Sequence, residues 1–428
     1  MLSYTPTSWS NAEKKSWTIL IYMAAFNDLA RFALKNLEQI KRIGGAQHAH
    51  ILINYNGLKD GQKKSVLYRA QKDTLEILQE FETTTATTDA GDSETLVRFC
   101  SYSLEHFPAD HYALIFWNHG TGILDPKARY RTPYLQLFSL HNSCKTRPNP
   151  QSSHALPIKT VDEPYKAVCF DDETGNFLTE ADLVDALTSI KNKHLPHGFD
   201  LIGFDACLMA MVEIASAVAP FAKYLVASQE VELGWGWNYE SILKPFMLGT
   251  IQPKTLGIHI INSYAKIYAS FDDFALSLIH LEKVDALQHN ICRVAYLSIK
   301  LLEDDSHPGD FRNVIKLSRN KHFCTHFEEP SFIDLAHFYQ NMENYCNEYQ
   351  PHATQQRATL ELLKNALHDG IALVAQTVLH NKNGKKATKA RGVSIYFPER
   401  LVHPSYIESG FAQATTWLSF LKLYLQTT

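Results

Sequence analysis

A cysteine at the end of one apolar run and a histidine at the end of another are the residues here best suited to covalent chemistry. The first run, Phe199 to Phe204, breaks at Asp205-Ala206-Cys207 and passes into an amphipathic stretch, Leu208–Ala217, that reads as a helix. A thiol at the carboxyl end of a strand, just ahead of a helix amino terminus, meets free backbone N–H groups and a positive dipole end. Both shift it towards thiolate. Strand alternation puts Asp205 and Cys207 on the same side of the chain. The second run, Tyr112 to Trp117, breaks at Asn118-His119-Gly120. An imidazole beside the thiol can take its proton and return it to a leaving amine. Gly120 leaves room for its N–H to face an oxyanion, with the Cys207 N–H as second donor. Each residue also has a plain reading: core filler for a cysteine behind a buried strand, surface loop for one of twenty histidines.

For the two corners to meet, their strands must lie side by side. Short apolar strands alternate with helical segments from Trp17 to Ser241. The strands fall near Trp17–Ala25, Ala49–Asn54, Tyr112–Trp117, Ala167–Phe170, Leu201–Phe204 and Tyr224–Ser228; Ser65–Arg69 adds an edge hairpin strand. Helices are expected at Ala30–Ile43, Ser93–His106 and Thr179–Lys191. Continuous apolar strands between helices indicate an α/β fold, a mainly parallel, doubly wound sheet with helices on both faces. Ligands bind such sheets in the crevice beyond the carboxyl strand ends. Residues 1–16 read as an extension and 17–250 as a catalytic domain. A proline-rich insert, 123–166, interrupts that domain. Residues 251–428 read as a helical subdomain that lends late strands to the core, with helices at Thr255–Phe271, Val284–Glu303, Phe332–Glu348 and Gln355–Ala375 and a strand within Asp272–Leu281.

Composition narrows the partners. Net charge is -4 over 428 residues, and no basic run of nucleic-acid type occurs, so nucleic acid is not an expected partner. The first sixteen residues lack a signal-peptide core, and Trp17–Phe26 is too short to cross a bilayer, so no membrane association is expected. Seven scattered cysteines without a Cys-x-x-Cys pair argue against a zinc site or a disulfide framework. The late histidines lack ligand spacing, so no metal site is predicted. The expected location is the cytoplasm, or the exterior by export without a classical signal.

These corners resemble the clostripain-like cysteine peptidases (family C11, clan CD), relatives of caspases, gingipains and legumains. The resemblance rests on WTILIYMAAFNDL (Trp17–Leu29), VCFDDETGNFLT (Val168–Thr179), DACLMAMVE (Asp205–Glu213), ASQEVELGWGWNY (Ala227–Tyr239) and RGVSIYFP (Arg391–Pro398). It implies a caspase-like fold and endopeptidase activity on peptide or protein substrates, with Cys207 as nucleophile and His119 as general base and acid. It also implies cleavage after Arg or Lys, with Asp205 in the pocket, where a carboxylate can pair with a guanidinium; a helix cap is the plain alternative for Asp205. Where relatives carry a second acid this chain has Trp235, with Glu230 and Glu232 nearby as substitutes. The alternatives are a specialised peptidase with a non-basic preference and a catalytically silent binding module. No cofactor is required. Some relatives need calcium, and Asp171, Asp172 and Glu173 offer oxygen ligands, although the same run makes a good turn. The resemblance further implies self-cleavage in the insert, after Lys127, Arg129, Arg131, Lys145 or Arg147; a plain exposed insertion is the equal alternative.

Overall fold

Apolar residues on both sides of a strand require cover on both sides, and WTILIYMAA obtains it at the centre of a nine-stranded sheet. The computed structural model describes residues 12–59, 62–81, 89–124, 168–172, 174–303, 310–351 and 354–426. Its strands are β1 (Lys15–Ala25), β2 (Ala49–Lys59), β3 (Gln62–Gln71), β4 (Thr74–Phe81), β5 (Ala109–Trp117), β6 (Val168–Asp171), β7 (Asn176–Leu178), β8 (Phe199–Asp205), β9 (Ala222–Ser228), β10 (Ala275–His280), β11 (Phe332–Asp334), β12 (Val378–Asn383) and β13 (Ser394–Tyr396). The large sheet runs β12-β10-β9-β8-β5-β1-β2-β3-β4. The five strands from β9 to β2 are parallel, and the outer strands on both flanks join antiparallel.

Alternation along β1 sorts its side chains into two cores. Leu20, Tyr22 and Ala24 pack with Phe99 and Leu187 from the helices Ser93–His106 and Glu180–Lys193. Ile19, Ile21 and Met23 pack on the other face with Leu37 and Ile260 from the helices Ala30–Ile43 and Pro253–Ile267. Asp92 caps the helix Ser93–His106 by accepting the Glu94 N–H, and a Thr179–Asp182 capping box starts the helix Glu180–Lys193. The sheet and its two helical layers are the α/β architecture expected, with β10 and β12 supplied from the carboxyl-terminal half. No helix among the described residues is long and apolar enough to cross a membrane.

Four elements differ from the sequence expectation. Ser65–Arg69, expected at the sheet edge, lies in β3 and is covered by β4, which is the edge strand. The Ala167–Phe170 strand does not enter the large sheet; as β6 it pairs with β7 in a separate hairpin. Side chains replace its ladder, since the Phe170 N–H donates to Asn118 Oδ1 and the Phe170 carbonyl accepts from Asn27. The helix expected from Phe332 begins at Leu335, because Phe332–Asp334 pairs with β13 and Asp334 caps the helix that follows. The helix expected from Leu208 begins at Val212. Leu208 sits at φ 64°, its N–H donates to the Glu230 carbonyl, and the Ala210 N–H donates to the Ser228 carbonyl. The segment Leu208–Met211 is thus tied to the chain after β9 instead of coiling on itself.

Glu213 is fully buried, accepting from the Tyr396 N–H at 2.9 Å and the Tyr406 hydroxyl at 3.3 Å, while its Oε2 has no partner. Burial pushes its carboxyl up to about 7, against the partial opposition of those hydrogen bonds. A raised folded value means stability that is complete below the unfolded value and lost as pH climbs through the folded one. Thermal unfolding followed from about pH 4.5 to 7 should therefore show a falling midpoint, and Glu213→Gln should flatten part of that slope. An identical slope in the variant would assign the loss to other groups.

Candidate active site

Strand register brings the two corners together. β5 and β8 are parallel neighbours with Trp117 opposite Asp205, and the Asn118 N–H donates to the Asp205 carbonyl at 3.3 Å. Asn118-His119-Gly120 and Ala206-Cys207 therefore leave the sheet side by side at its carboxyl edge. The contact between the two turns is backbone on backbone. A Cβ on Gly120 would lie 2.4 Å from the Cys207 carbonyl oxygen, so only glycine permits this approach.

β1 lies on the other side of β5, with Met23 opposite Trp117, and brings in Asn27 and Asp28. The His119 Nε2 is 2.7 Å from Asp28 Oδ1. Burial pulls the Asp28 carboxyl upward, but the hydrogen bond and charge of His119 together outweigh it and leave it below the ordinary value. An ionised Asp28 accepts a proton-bearing Nε2, which leaves Nδ1 as the basic nitrogen. Asp28 and Asn118 are functional candidates that the sequence reading passed over. The signal was present: Asn27-Asp28 ends a buried strand as Asn118-His119 does.

Cys207 departs from expectation. It is 4% exposed. Its sulfur accepts the Glu232 N–H at 3.3 Å and lies 4.0 Å from the Glu232 carbonyl oxygen. Burial pushes the thiol well up, and the charges of Glu232, Glu230 and Asp205 push the same way, against the Glu232 backbone hydrogen bond. The expected shift towards thiolate is therefore corrected. The helix credited with it starts at Val212, too far along the chain for its amino terminus to act on the sulfur.

The acids expected around the pocket are committed within the protein. Asp205 is 5% exposed and accepts the Trp237 N–H at 3.1 Å and the Tyr239 hydroxyl at 2.9 Å. Its carboxyl also bonds the Glu232 carboxyl, and burial raises both, Asp205 to about 6. Glu232 accepts the Trp237 indole N–H at 3.3 Å, and its Oε2 has no donor unless the two acids share a proton. Glu230 accepts the N–H groups of Val231 and Glu328 at 2.8 and 3.0 Å, and burial raises it to about 7. Trp235, expected as a pocket wall, is 60% exposed, and Lys35 Nζ stands 4.1 Å above its ring. The indole face offered to a substrate cation already holds one.

The acidic turn behaves as a turn. Asp171 accepts the N–H groups of Ala90 and Thr174, and no group of three potential ligands occurs among the described residues. Glu173 and the expected cleavage positions in the insert, from Lys127 to Arg147, lie outside the described residues.

A model of the clostripain family, peptidase C11, matches residues 21–135 and 156–423. Clostripain of Hathewaya histolytica is 28% identical over 164 residues, which span 37% of this chain and 25% of that protein's length. Among solved structures, a secreted C11 cysteine protease of Bacteroides thetaiotaomicron, held with an irreversible peptide inhibitor, superposes with a TM-score of 0.63 at 19% identity, covering 94% of this chain and 99% of that one. An inactive zymogen C11 protease of Parabacteroides distasonis gives 0.59 at 18% identity, covering 96% and 99%. At these identities the superpositions establish the fold.

The contact at Gly120 is testable by itself. Gly120→Ala should cost about 1–3 kcal/mol in chemical denaturation, because the Cys207 carbonyl cannot yield without moving the turn. Gly249→Ala, where nothing lies within 4 Å, should be close to neutral. Equal effects at the two positions would show that the turns can separate freely.

Proposed function

Because the chain belongs to the clostripain family of peptidases, we propose that it is a cysteine endopeptidase with Cys207 as nucleophile, His119 as general base and acid, and Asp28 as the positioning residue behind His119. The observation that carries this reading is the His119–Asp28 pair at 2.7 Å, set on the turn that packs against the Cys207 carbonyl. The thiol proton passes to His119, sulfur bonds the scissile carbonyl carbon, and the amine leaves with that proton. Water, deprotonated by His119, then cleaves the thioester and restores the thiol. Asp28 stabilises the imidazolium formed in each half. The N–H groups of Gly120 and Cys207 are the proposed donors to the tetrahedral oxyanion. No step calls for a cofactor. Glu232 must release the sulfur before a substrate carbonyl can reach it, so opening of the Glu230–Gly236 segment accompanies binding.

Cleavage after Arg or Lys is the preference we favour. Asp205 and Glu232 form a buried acidic pair next to the nucleophile, and an arriving guanidinium would displace their shared proton and take its place. The commitment of Asp205 to Trp237 and Tyr239 favours the second reading, a peptidase with a non-basic preference.

Cys207→Ala should abolish hydrolysis, and His119→Ala should lower kcat by about 10²–10⁴-fold. Asp28→Asn should lower kcat with KM retained and, because His119 must be neutral to act as base, move the acid limb of the pH profile to lower pH, which a merely structural residue would not do. Near wild-type turnover in Cys207→Ala or His119→Ala would overturn the dyad, and a wild-type chain that hydrolyses no peptide would leave the binding module as the surviving reading.

For basic substrates kcat/KM should rise with pH through about 6, as Asp205 ionises and the pair takes on its first negative charge. Asp205→Asn should cost about 2–5 kcal/mol of transition-state binding for basic substrates and far less for neutral ones. Equal losses would assign Asp205 to holding the loop, and the non-basic preference would stand.

A further inference from the structure

A second cleft lies outside the candidate active site, between the helices Leu335–Glu348 and Thr354–Thr377, with a volume of about 620 Å³. Its two helical walls are unlike. One presents His337, Gln340, Asn341 and Asn344, the spacing of a single helix face, and every one of them is polar. The other presents Ile371, Val374 and Ala375, continued by Val378, at the same spacing and wholly apolar. Ala336 at the start of the polar wall, with Asn381, Lys389 and Arg391, completes the lining, and no residue lining the cleft is an acid. Both cationic side chains are exposed, and neither forms an ion pair among the described residues. Arg391 is anchored at the cleft through its backbone, whose N–H donates to Asp334 at 2.6 Å.

His337 adds a donor of fixed kind. Its Nδ1 accepts the Thr325 N–H at 3.0 Å, which puts the ring proton on Nε2. Burial, then the charges of Lys389 and Arg391, lower it to about 4, so the ring is neutral near pH 7 and both cations bear on it.

The geometry points to a binding site for an organic carboxylate with an apolar body. The carboxylate sits among Lys389, Arg391 and the His337 Nε2–H, and the hydrocarbon lies along Ile371 and Val378, the half-buried residues of the apolar wall. Pockets of this size take small molecules, and an anion alone would leave the apolar wall idle. A free organic acid and the carboxyl terminus of a peptide ending in an apolar residue share this chemistry.

Isothermal titration of the full chain with octanoate and with N-acetyl-leucyl-leucine tests the assignment, with octylamine and inorganic phosphate as controls. At least one acid should bind at about 1 mM or tighter, at least about tenfold better than either control, and the preferred acid identifies the source. Arg391→Gln and Lys389→Gln should each weaken it by about tenfold at unchanged Tm, the loss of one charge-assisted hydrogen bond. Binding by neither acid, equal binding of phosphate or octylamine, or affinity unchanged in both variants would overturn the site.

Discussion

One buried side chain holds the carboxyl edge of the sheet together. Asn118 is 4% exposed, and its Nδ2 reaches the Ala24 carbonyl at 2.5 Å and the Phe170 carbonyl at 3.2 Å, while its Oδ1 accepts the Phe170 N–H. Its own N–H donates to the Asp205 carbonyl. The ends of β1 and β8 and the β6 hairpin are thus fastened to the turn that carries His119. Each such bond is worth about 1 kcal/mol net, but an unpaired buried amide costs more, so the turn cannot drift without stranding polar groups. Asn27 repeats the arrangement one strand away, donating to Ala24 and Phe170, and so places Asp28 within reach of the imidazole.

Behind this edge lies a polar interior. Asp205 and Glu232 share their surroundings with Trp237 and Tyr239; on the same loop the Tyr264 hydroxyl accepts the Leu233 N–H at 3.2 Å and the Tyr268 hydroxyl donates to the Gly236 carbonyl at 3.0 Å. Gly203 lies beneath the Trp237 ring, where a Cβ would come within 2.8 Å of it. A loop anchored on buried acids is rigid while those acids are neutral or satisfied, and it is sensitive to any charge that enters. Cys207, its cover and the acidic pair therefore form one mechanical unit.

Much of this was legible before any coordinates. The helices Ala30–Ile43 and Ser93–His106 begin and end where periodicity puts them, and the apolar runs into Asp205 and Asn118 are adjacent parallel strands. What could not be read depends on partners remote in sequence. In Leu208–Ala217 the apolar residues suit a helix throughout, and the Glu230 and Ser228 carbonyls and the N–H of Ser394, which donates to Ala210, hold Leu208–Met211 out of it. The same remoteness hid the cover over Cys207, because the Glu232 backbone arrives from beyond β9. Asp28 was hidden differently. Its neighbours are ordinary for a turn, and only the pairing of β1 with β5 turns it towards an imidazole.

The seat of Cys207 also bears on how this chain would age. Peroxides and disulfides attack the thiolate of an accessible cysteine, and a sulfur that is buried, protonated and hydrogen-bonded by a backbone N–H offers them neither charge nor approach. Oxidative damage at this position is therefore tied to the movements that uncover it. While the Glu232 backbone covers it, the sulfur is shielded from reagents that would oxidise an exposed thiol, and its exposure to them is set by how often that cover lifts.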